Sequence, residues 1–222
     1  MPQGAPDQGS DLSTSRTTIH KYMNKLLGLK SIVRPKRPAY KHGDVHKIFE
    51  NKIDQNFTAP KINQKWCTDF TYLFLSDREV RYNCSILDLH DRSVIVSITD
   101  RNITSDLAIR TLQKALNSQP EITGELILHS DQGSQFTSKA FVEFCESVHV
   151  TQSMSKAGCP YDNAPMERYF NTLKNECTNL YEYDKEEALY QAVEEFAYVE
   201  YNYVRPHSYN DYATPYGARI HS

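Results

Sequence analysis

The sequence contains no hydrophobic run approaching the roughly 18 residues that a membrane-crossing helix needs. Its start, Met1-Pro2-Gln3-Gly4-Ala5-Pro6, lacks the apolar stretch of a signal peptide. Both absences lead to the expectation of a cytoplasmic, soluble protein with no membrane partner. Cysteine pairs are missing as well: Cys67, Cys84, Cys145, Cys159 and Cys177 are odd in number and form no Cys-x-x-Cys motif. That argues against a disulfide framework and a closed zinc site, and for reduced, mostly buried thiols. His42 and His46 stand at a zinc-like interval, but no cysteine pair follows them, so a solvated linker is the expected setting.

What the chain does have is enough apolar material for one sizeable core plus an appendage: 222 residues, 39% hydrophobic and 24% charged, with 15 Tyr. The formal charge of −3 conceals an asymmetry. Residues 1–65 hold 12 Lys/Arg against 5 Asp/Glu, net +7, and residues 66–222 hold 13 against 23, net −10. The basic arm is therefore the expected contact for a nucleic-acid backbone.

Within that arm, residues 1–12, rich in Gln, Gly, Pro, Asp and Ser, read as a disordered start. Residues 13–30 open on Ser/Thr and continue with Ile19, Tyr22, Met23 and Leu26, and Gly28 is a plausible stop, so they read as a short helix. Residues 31–60 carry Arg34-Pro35-Lys36-Arg37-Pro38 near their start and read as a basic linker punctuated by proline.

The most informative residues are three acids, Asp69, Asp131 and Glu167. Asp69 lies in the aromatic and β-branched run 66–75, which suits a buried strand, and a carboxylate there needs a cationic partner or a metal. Asp131 follows the short apolar run 125–130 and precedes Gln132-Gly133-Ser134, a turn into a helix, which puts it at a strand's carboxyl end. Glu167 follows Asp162 and Asn163, either of which can cap a helix that tolerates Pro165 in its first turn. In that helix Met166, Tyr169, Phe170, Leu173, Cys177 and Leu180 form one apolar stripe, while Glu167, Asn171 and Lys174 share a flank. Acids at turns and helix starts commonly cap or complement the helix dipole. Two strands and a helix can instead bring carboxylates together around hard divalent cations, as phosphoryl transfer through two ions requires.

Further strands are expected at 80–88 and 93–99, and one ending at His129. Helices are expected at about 104–117, from near Ser138, and from Asp184. The Asp184-Lys185-Glu186-Glu187 start resembles a capping box, with Leu189, Ala192, Val193, Phe196 and Val199 on one stripe. The three early strands favour an antiparallel meander and the later alternation of helix and strand favours parallel additions. Residues 61–220 are thus expected to form an α/β fold, a mixed five-stranded sheet flanked by helices, with the short basic helix as an N-terminal arm.

Four stretches, Trp66 to Tyr72, His129-Ser130-Asp131-Gln132-Gly133-Ser134-Gln135-Phe136-Thr137-Ser138, Tyr161 to Lys174 with Glu167 seven residues before Lys174, and Tyr201 to His207, resemble the integrase-core transposases of the insertion-sequence-three family. That family is similar to retroviral integrases, and the resemblance covers about residues 14–220. It implies a ribonuclease-H-like fold. It implies that Asp69, Asp131 and Glu167 are both catalytic and the ligands of two Mg²⁺ ions, with Mn²⁺ as a substitute, and that Lys174 contacts the transposon end. Arg168, Lys156, Arg16, Lys21, Arg34, Lys36 and Arg37 are the further DNA-contact candidates. His129 and His207 are expected to support neighbours rather than react. The implied reaction is cleavage and strand transfer at the terminal repeats of a mobile element, by a homo-multimer, with the element's first-frame product as a candidate partner. The 13–30 helix resembles the last helix of the family's helix-turn-helix, without the helices that precede it there. Two alternatives stand beside this reading: a ribonuclease-H-like nuclease without strand transfer, and a DNA-binding regulator or inactive relic.

Overall fold

The computed structural model describes residues 15–29, 45–119, 122 and 124–221. The expected disordered start at 1–12, the linker cations Arg34, Lys36 and Arg37, and His42 lie outside the described residues, as do the side chains of Arg16 and Pro160.

The chain divides into two compact units, Met1–Ala39 and Tyr40–Ser222. In the first, α1 (Arg16–Lys21) begins where Ser15 Oγ accepts the Thr18 N–H at 3.2 Å, so the Ser/Thr start does act as a cap. The helix widens into a π turn at Tyr22–Leu26 and ends before Gly28, whose φ of +63° is the left-handed stop that glycine takes without strain. Ile19, Tyr22, Met23 and Leu26 are all exposed.

The second unit is built on β1 (Lys65–Phe74), β2 (Val80–Asp88), β3 (Val94–Asp100), β4 (Leu126–Ser130) and β5 (Val150–Met154), in the order β3-β2-β1-β4-β5. β1 pairs antiparallel with β2, and β2 with β3, while β4 is parallel to both β1 and β5. This is the expected mixed sheet. Its helices are α2 (Ser105–Ser118), α3 (Lys139–Ser147), α4 (Ala164–Leu173), α5 (Glu186–Glu195) and α6 (Pro215–Ile220). Thr104 and Ser138 cap α2 and α3 through their hydroxyls.

Strand alternation sorts β1 onto two cores. Trp66 joins Ile86, Val96, Leu128, Leu112 and Phe141 on the face covered by α2 and α3. Cys67 and Leu73 join Met166, Tyr169, Leu173, Leu189 and Val193 on the face covered by α4 and α5. Each fully buried large apolar side chain contributes about 1.5–3 kcal/mol, so these two layers dominate the stability of the sheet.

Three expectations are corrected. Lys185, not an acid, flanks the start of α5, with no side-chain cap, since an ammonium offers no acceptor, and the Glu186 carboxylate is held by Arg81 at 2.8 Å and by Arg101. Leu180 lies off the α4 stripe and is exposed, and Val199 is likewise exposed on the stripe of α5. Both misses have one cause: α4 passes into a π segment at Lys174–Thr178 and α5 into another at Phe196–Val204. A π turn closes i→i+5 and holds more residues than an α turn, so an apolar stripe read at 3.6 residues per turn slips off the buried side.

Candidate active site

Asp69 sits on the central strand, half-buried, at an alternation position shared with Cys67 and Leu73 and therefore on the α4 side of the sheet. Its Oδ1 accepts the N–H of Phe70 at 2.7 Å. The parallel register pairs Cys67 with His129, and two residues further along each strand come Asp69 and Asp131. The two carboxylate-bearing positions are therefore level, one on β1 and one just past the end of β4.

Asp131 opens a tight turn in which its Oδ1 accepts the Gly133 N–H at 2.8 Å. Glycine suits the turn, since a Cβ at Gly133 would come to 2.8 Å from that same Oδ1 and 3.3 Å from Gln135 Oε1, and those side chains would have to shift. Asp131 is exposed, as the loop position suggests.

Glu167 lies in the first turn of α4 and is exposed. The start of α4 is anchored to the sheet by Asn163, whose Nδ2 donates to the Thr68 carbonyl at 3.2 Å, one residue before Asp69. The expected cap by Asp162 or Asn163 is absent: the Asp162 carboxylate is taken by other donors, while Asn163 Oδ1 is buried with no hydrogen-bond partner among the described residues. The buried Asp162 carboxylate accepts the Lys156 N–H, Asn51 Nδ2 and Gln55 Nε2, each at 2.9 Å. The Lys156 N–H first, and then the Gln55 amide, hold its pKa below the usual carboxylate range.

Beneath this turn His129 is fully buried. Its Nε2 lies 2.8 Å from the Asp162 carbonyl, which can only accept, so the proton is assigned to Nε2. Nδ1 then accepts from Ser153 Oγ at 2.9 Å, and Ser153 Oγ accepts in turn from the Lys52 N–H at 2.9 Å. Burial lowers the imidazole's pKa, so the ring is neutral and acts as a strut between β4, β5 and the turn before α4. The supporting role expected of His129 fits this setting. Its partners Ser153 and Ser155 carried no sequence signal of this role, and Asp162, which the sequence offers as a helix cap, is held instead by Asn51 and Gln55.

The side chains of Asp69, Asp131 and Glu167 do not form a closed cage: among the described residues no three His, Cys, Asp or Glu side chains are gathered closely enough to hold a metal ion. The donor chemistry nonetheless fits a hard divalent cation, being all carboxylate oxygen from three separate elements.

The cationic candidates are scattered. Lys174 is half-buried at the point where α4 becomes a π turn, two α-helical turns from Glu167. Arg168 is exposed on α4. Lys156 is exposed and only 3.5 Å from Asp54 Oδ1, a surface pair of little energetic weight. Lys21 is exposed on α1, in the other compact unit.

Two models of the integrase core domain match the chain, over residues 59–160 and 148–215, so that together they span the sheet, α4 and α5. The chain belongs to the integrase-core family. This integrase core is 33% identical over 189 residues to the putative transposase InsK of insertion sequence element IS150 from Escherichia coli strain K12, a match covering 82% of this chain and 64% of that protein. It is 34% identical over 164 residues to transposase InsF of insertion sequence IS3A from the same organism, covering 73% of this chain and 56% of that one. The chain thus spans about three-fifths of the length of these curated relatives.

Among solved structures the core is similar to the HTLV-2 integrase catalytic core domain in complex with magnesium, with a TM-score of 0.55 and 21% identity over 72% of this chain and 98% of that one. It is also similar to the catalytic domain of Mos1 mariner transposase, with a TM-score of 0.54 and 14% identity over 62% of this chain and 71% of that one. The fold is therefore the ribonuclease-H-like core shared by integrases and transposases. Among the described residues no helix is long and apolar enough to cross a membrane.

Proposed function

We propose that this integrase core is the catalytic part of a cytoplasmic DNA transposase that cuts and rejoins DNA at the ends of a mobile element. Asp69, Asp131 and Glu167 would hold two Mg²⁺ ions, or Mn²⁺ in their place. The observation that carries the reading is the level register of Asp69 and Asp131 across β1 and β4, with α4 anchored at Thr68 beside them. The curated relatives named as transposases, and the solved integrase core named as a magnesium complex, support it.

When bound, the ions supply Lewis-acid stabilisation of the attacking and leaving oxygens in an in-line displacement at phosphorus. The protein's own share is positional. Asp69 is fixed by a rigid central strand, Asp131 by its turn with Gly133, and Glu167 by a helix start tied to β1. No protein nucleophile is needed, because water attacks first and the freed 3′-hydroxyl attacks second. Lys174, two turns along α4 from Glu167, would contact a phosphate of the transposon end, with Arg168, Lys156 and the arm's Arg16, Lys21, Arg34, Lys36 and Arg37 as further backbone contacts. Assembly as a homo-multimer on the terminal repeats and target DNA, and association with the element's first-frame product, belong to the same proposal.

The test is cleavage and joining of labelled DNA carrying the ends of the encoding element, for the wild type and Glu167→Gln, with Mg²⁺ or Mn²⁺. Cutting and joining by the wild type alone supports the transposase reading. Cutting without joining makes the chain a nuclease, and DNA binding without cutting makes it a regulator.

A further inference from the structure

A second charged site lies on the α4 side of the sheet, at the tight turn between β2 and β3. Arg92, in that turn, is only 8% exposed, and its backbone takes a φ of +65°. Its Nη2 donates to the Phe57 carbonyl at 2.9 Å, and its guanidinium carbon lies 3.8 Å from the centre of the Tyr209 ring. Nη1 is buried and has no hydrogen-bond partner among the described residues. A buried guanidinium N–H left without an acceptor is costly, more so than a neutral one.

The nearby carboxylates are already committed. Asp88 and Asp91 accept from Arg219 Nη1 at 3.2 and 2.7 Å, and Glu176 forms a two-point pair with Arg205 at 2.6 and 2.8 Å. Among the described residues Arg92 has no ion pair. Burial lowers its pKa, as it must for a cation without a close anion.

Arg92 borders a cavity of about 230 Å³ whose walls also include Arg168, His207, Phe57, Tyr201 and the first turn of α4. His207 Nδ1 accepts the Tyr209 N–H at 3.2 Å, which leaves its proton on Nε2. Burial first, and then the charges of Arg92, Arg205 and Arg168, push its pKa down to about 4. At neutral pH the ring is therefore an uncharged donor beside two guanidinium groups.

We propose that this cavity is a phosphate-binding pocket, in which Arg92, Arg168 and His207 donate to the oxygens of a phosphate group. Three donor side chains from three separate segments suit a tetrahedral oxyanion, and two guanidinium forks suit phosphate in particular. The aromatic walls Phe57 and Tyr201 suit the sugar or base that a nucleotide phosphate carries. The phosphate has two candidate sources, a DNA backbone or a free phosphate species. The first rests on the function proposed above, and the second does not.

The test is nuclear magnetic resonance of nitrogen-labelled histidine in the full chain, following His207. The ligands are inorganic phosphate, a thymidine dinucleotide and a short DNA duplex, with acetate and chloride at matched ionic strength. Phosphate-bearing ligands are expected to shift the His207 signals saturably and to raise its pKa, because a bound anion offsets the arginine charges. Arg168→Gln, at an exposed helix position, is expected to weaken the effect about tenfold, the loss of one charged hydrogen bond; Arg92→Lys tests the fork.

Saturation by duplex or dinucleotide at lower concentration than by phosphate assigns the pocket to a DNA backbone, and the reverse order assigns it to free phosphate; both uphold it. Acetate as effective as phosphate, no saturable shift, or undiminished affinity in Arg168→Gln overturns it. A chain that binds phosphate here yet cuts no DNA refutes the proposed reaction alone, and one that cuts DNA yet leaves His207 unmoved refutes the pocket alone.

Discussion

The polar groups around Asp69 in β1 and the carboxyl end of β4 fall into two sets that differ in burial and in partners. His129, Ser153 and Asp162 are buried, and each is hydrogen-bonded to a partner on another segment. Asp69 is half-buried, and Asp131 and Glu167 are exposed, with Asp69 and Asp131 each oriented by a backbone N–H close in sequence. The first set holds the loops in place and is satisfied by the fold. The second is carried on those loops and strands and is half-buried or exposed. A buried polar group left unmatched costs stability, so a fold can leave its reactive groups exposed only by saturating the scaffold beneath them.

That contrast predicts opposite outcomes for substitutions a few residues apart. The largest effect should come from neutralising the second set. Asp69→Asn, Asp131→Asn and Glu167→Gln are each expected to lower metal-dependent cleavage by on the order of a thousandfold while leaving the urea midpoint unchanged or slightly higher. An active Glu167→Gln variant would break the comparison. The first set should behave in reverse. Asp162→Ala removes the shared acceptor of three part-buried hydrogen bonds, from Lys156, Asn51 and Gln55, and is expected to cost about 2 kcal/mol of folding stability in urea titration.

pH sharpens the same contrast. His129 and His207 both have lowered folded-state pKa values, the latter to about 4. Each is neutral in the fold and protonates more readily unfolded, so stability is full above the unfolded value near 6.5 and falls as pH drops toward the folded values. Thermal melts between neutral and mildly acidic pH should show this loss, and His129→Gln should remove part of the slope. Asp162 acts lower on the scale: its depressed folded pKa contributes stability that is present above the unfolded carboxylate range and lost as pH falls through the folded value.

Smaller effects test the joints between the two sets. Gly133→Ala must push the Asp131 carboxylate aside, and is expected to reduce cleavage about tenfold with a change in melting temperature of only a few degrees. Lys156→Ala removes an exposed pair with Asp54 and should change stability by about 0.5 kcal/mol or less, so any loss of DNA affinity in that variant reports a phosphate contact.

The strands, and the placement of the three acids in a strand, after a strand end and in a helix's first turn, were readable because they rest on local pattern. The aromatic and β-branched run around Asp69 became β1 to within a residue at each end, and the apolar stripe of α4 through Cys177 is buried as periodicity demands. What escaped depends on partners distant in sequence. Asp162 carries a helix-cap signature, yet its carboxylate is claimed by Asn51 and Gln55, more than 100 residues earlier. Glu186 is drawn to Arg81 and Arg101 in the same way. The π segments after Leu173 and Glu195 shift Leu180 and Val199 out of their stripes, and nothing in a 3.6-residue period announces them. The burial of Arg92 likewise depends on segments distant in sequence, with Phe57 and Tyr209 packed against it.

The measurement that bears most directly on the account is a calorimetric titration of the full chain with Mn²⁺, compared with Asp69→Asn, Asp131→Asn and Glu167→Gln. It needs no knowledge of the DNA ends. The account predicts saturable binding by the wild type that each single substitution weakens strongly, with folding intact by circular dichroism. Equal binding by all four proteins would contradict it, because the three carboxylates would then not be the groups that hold the metal.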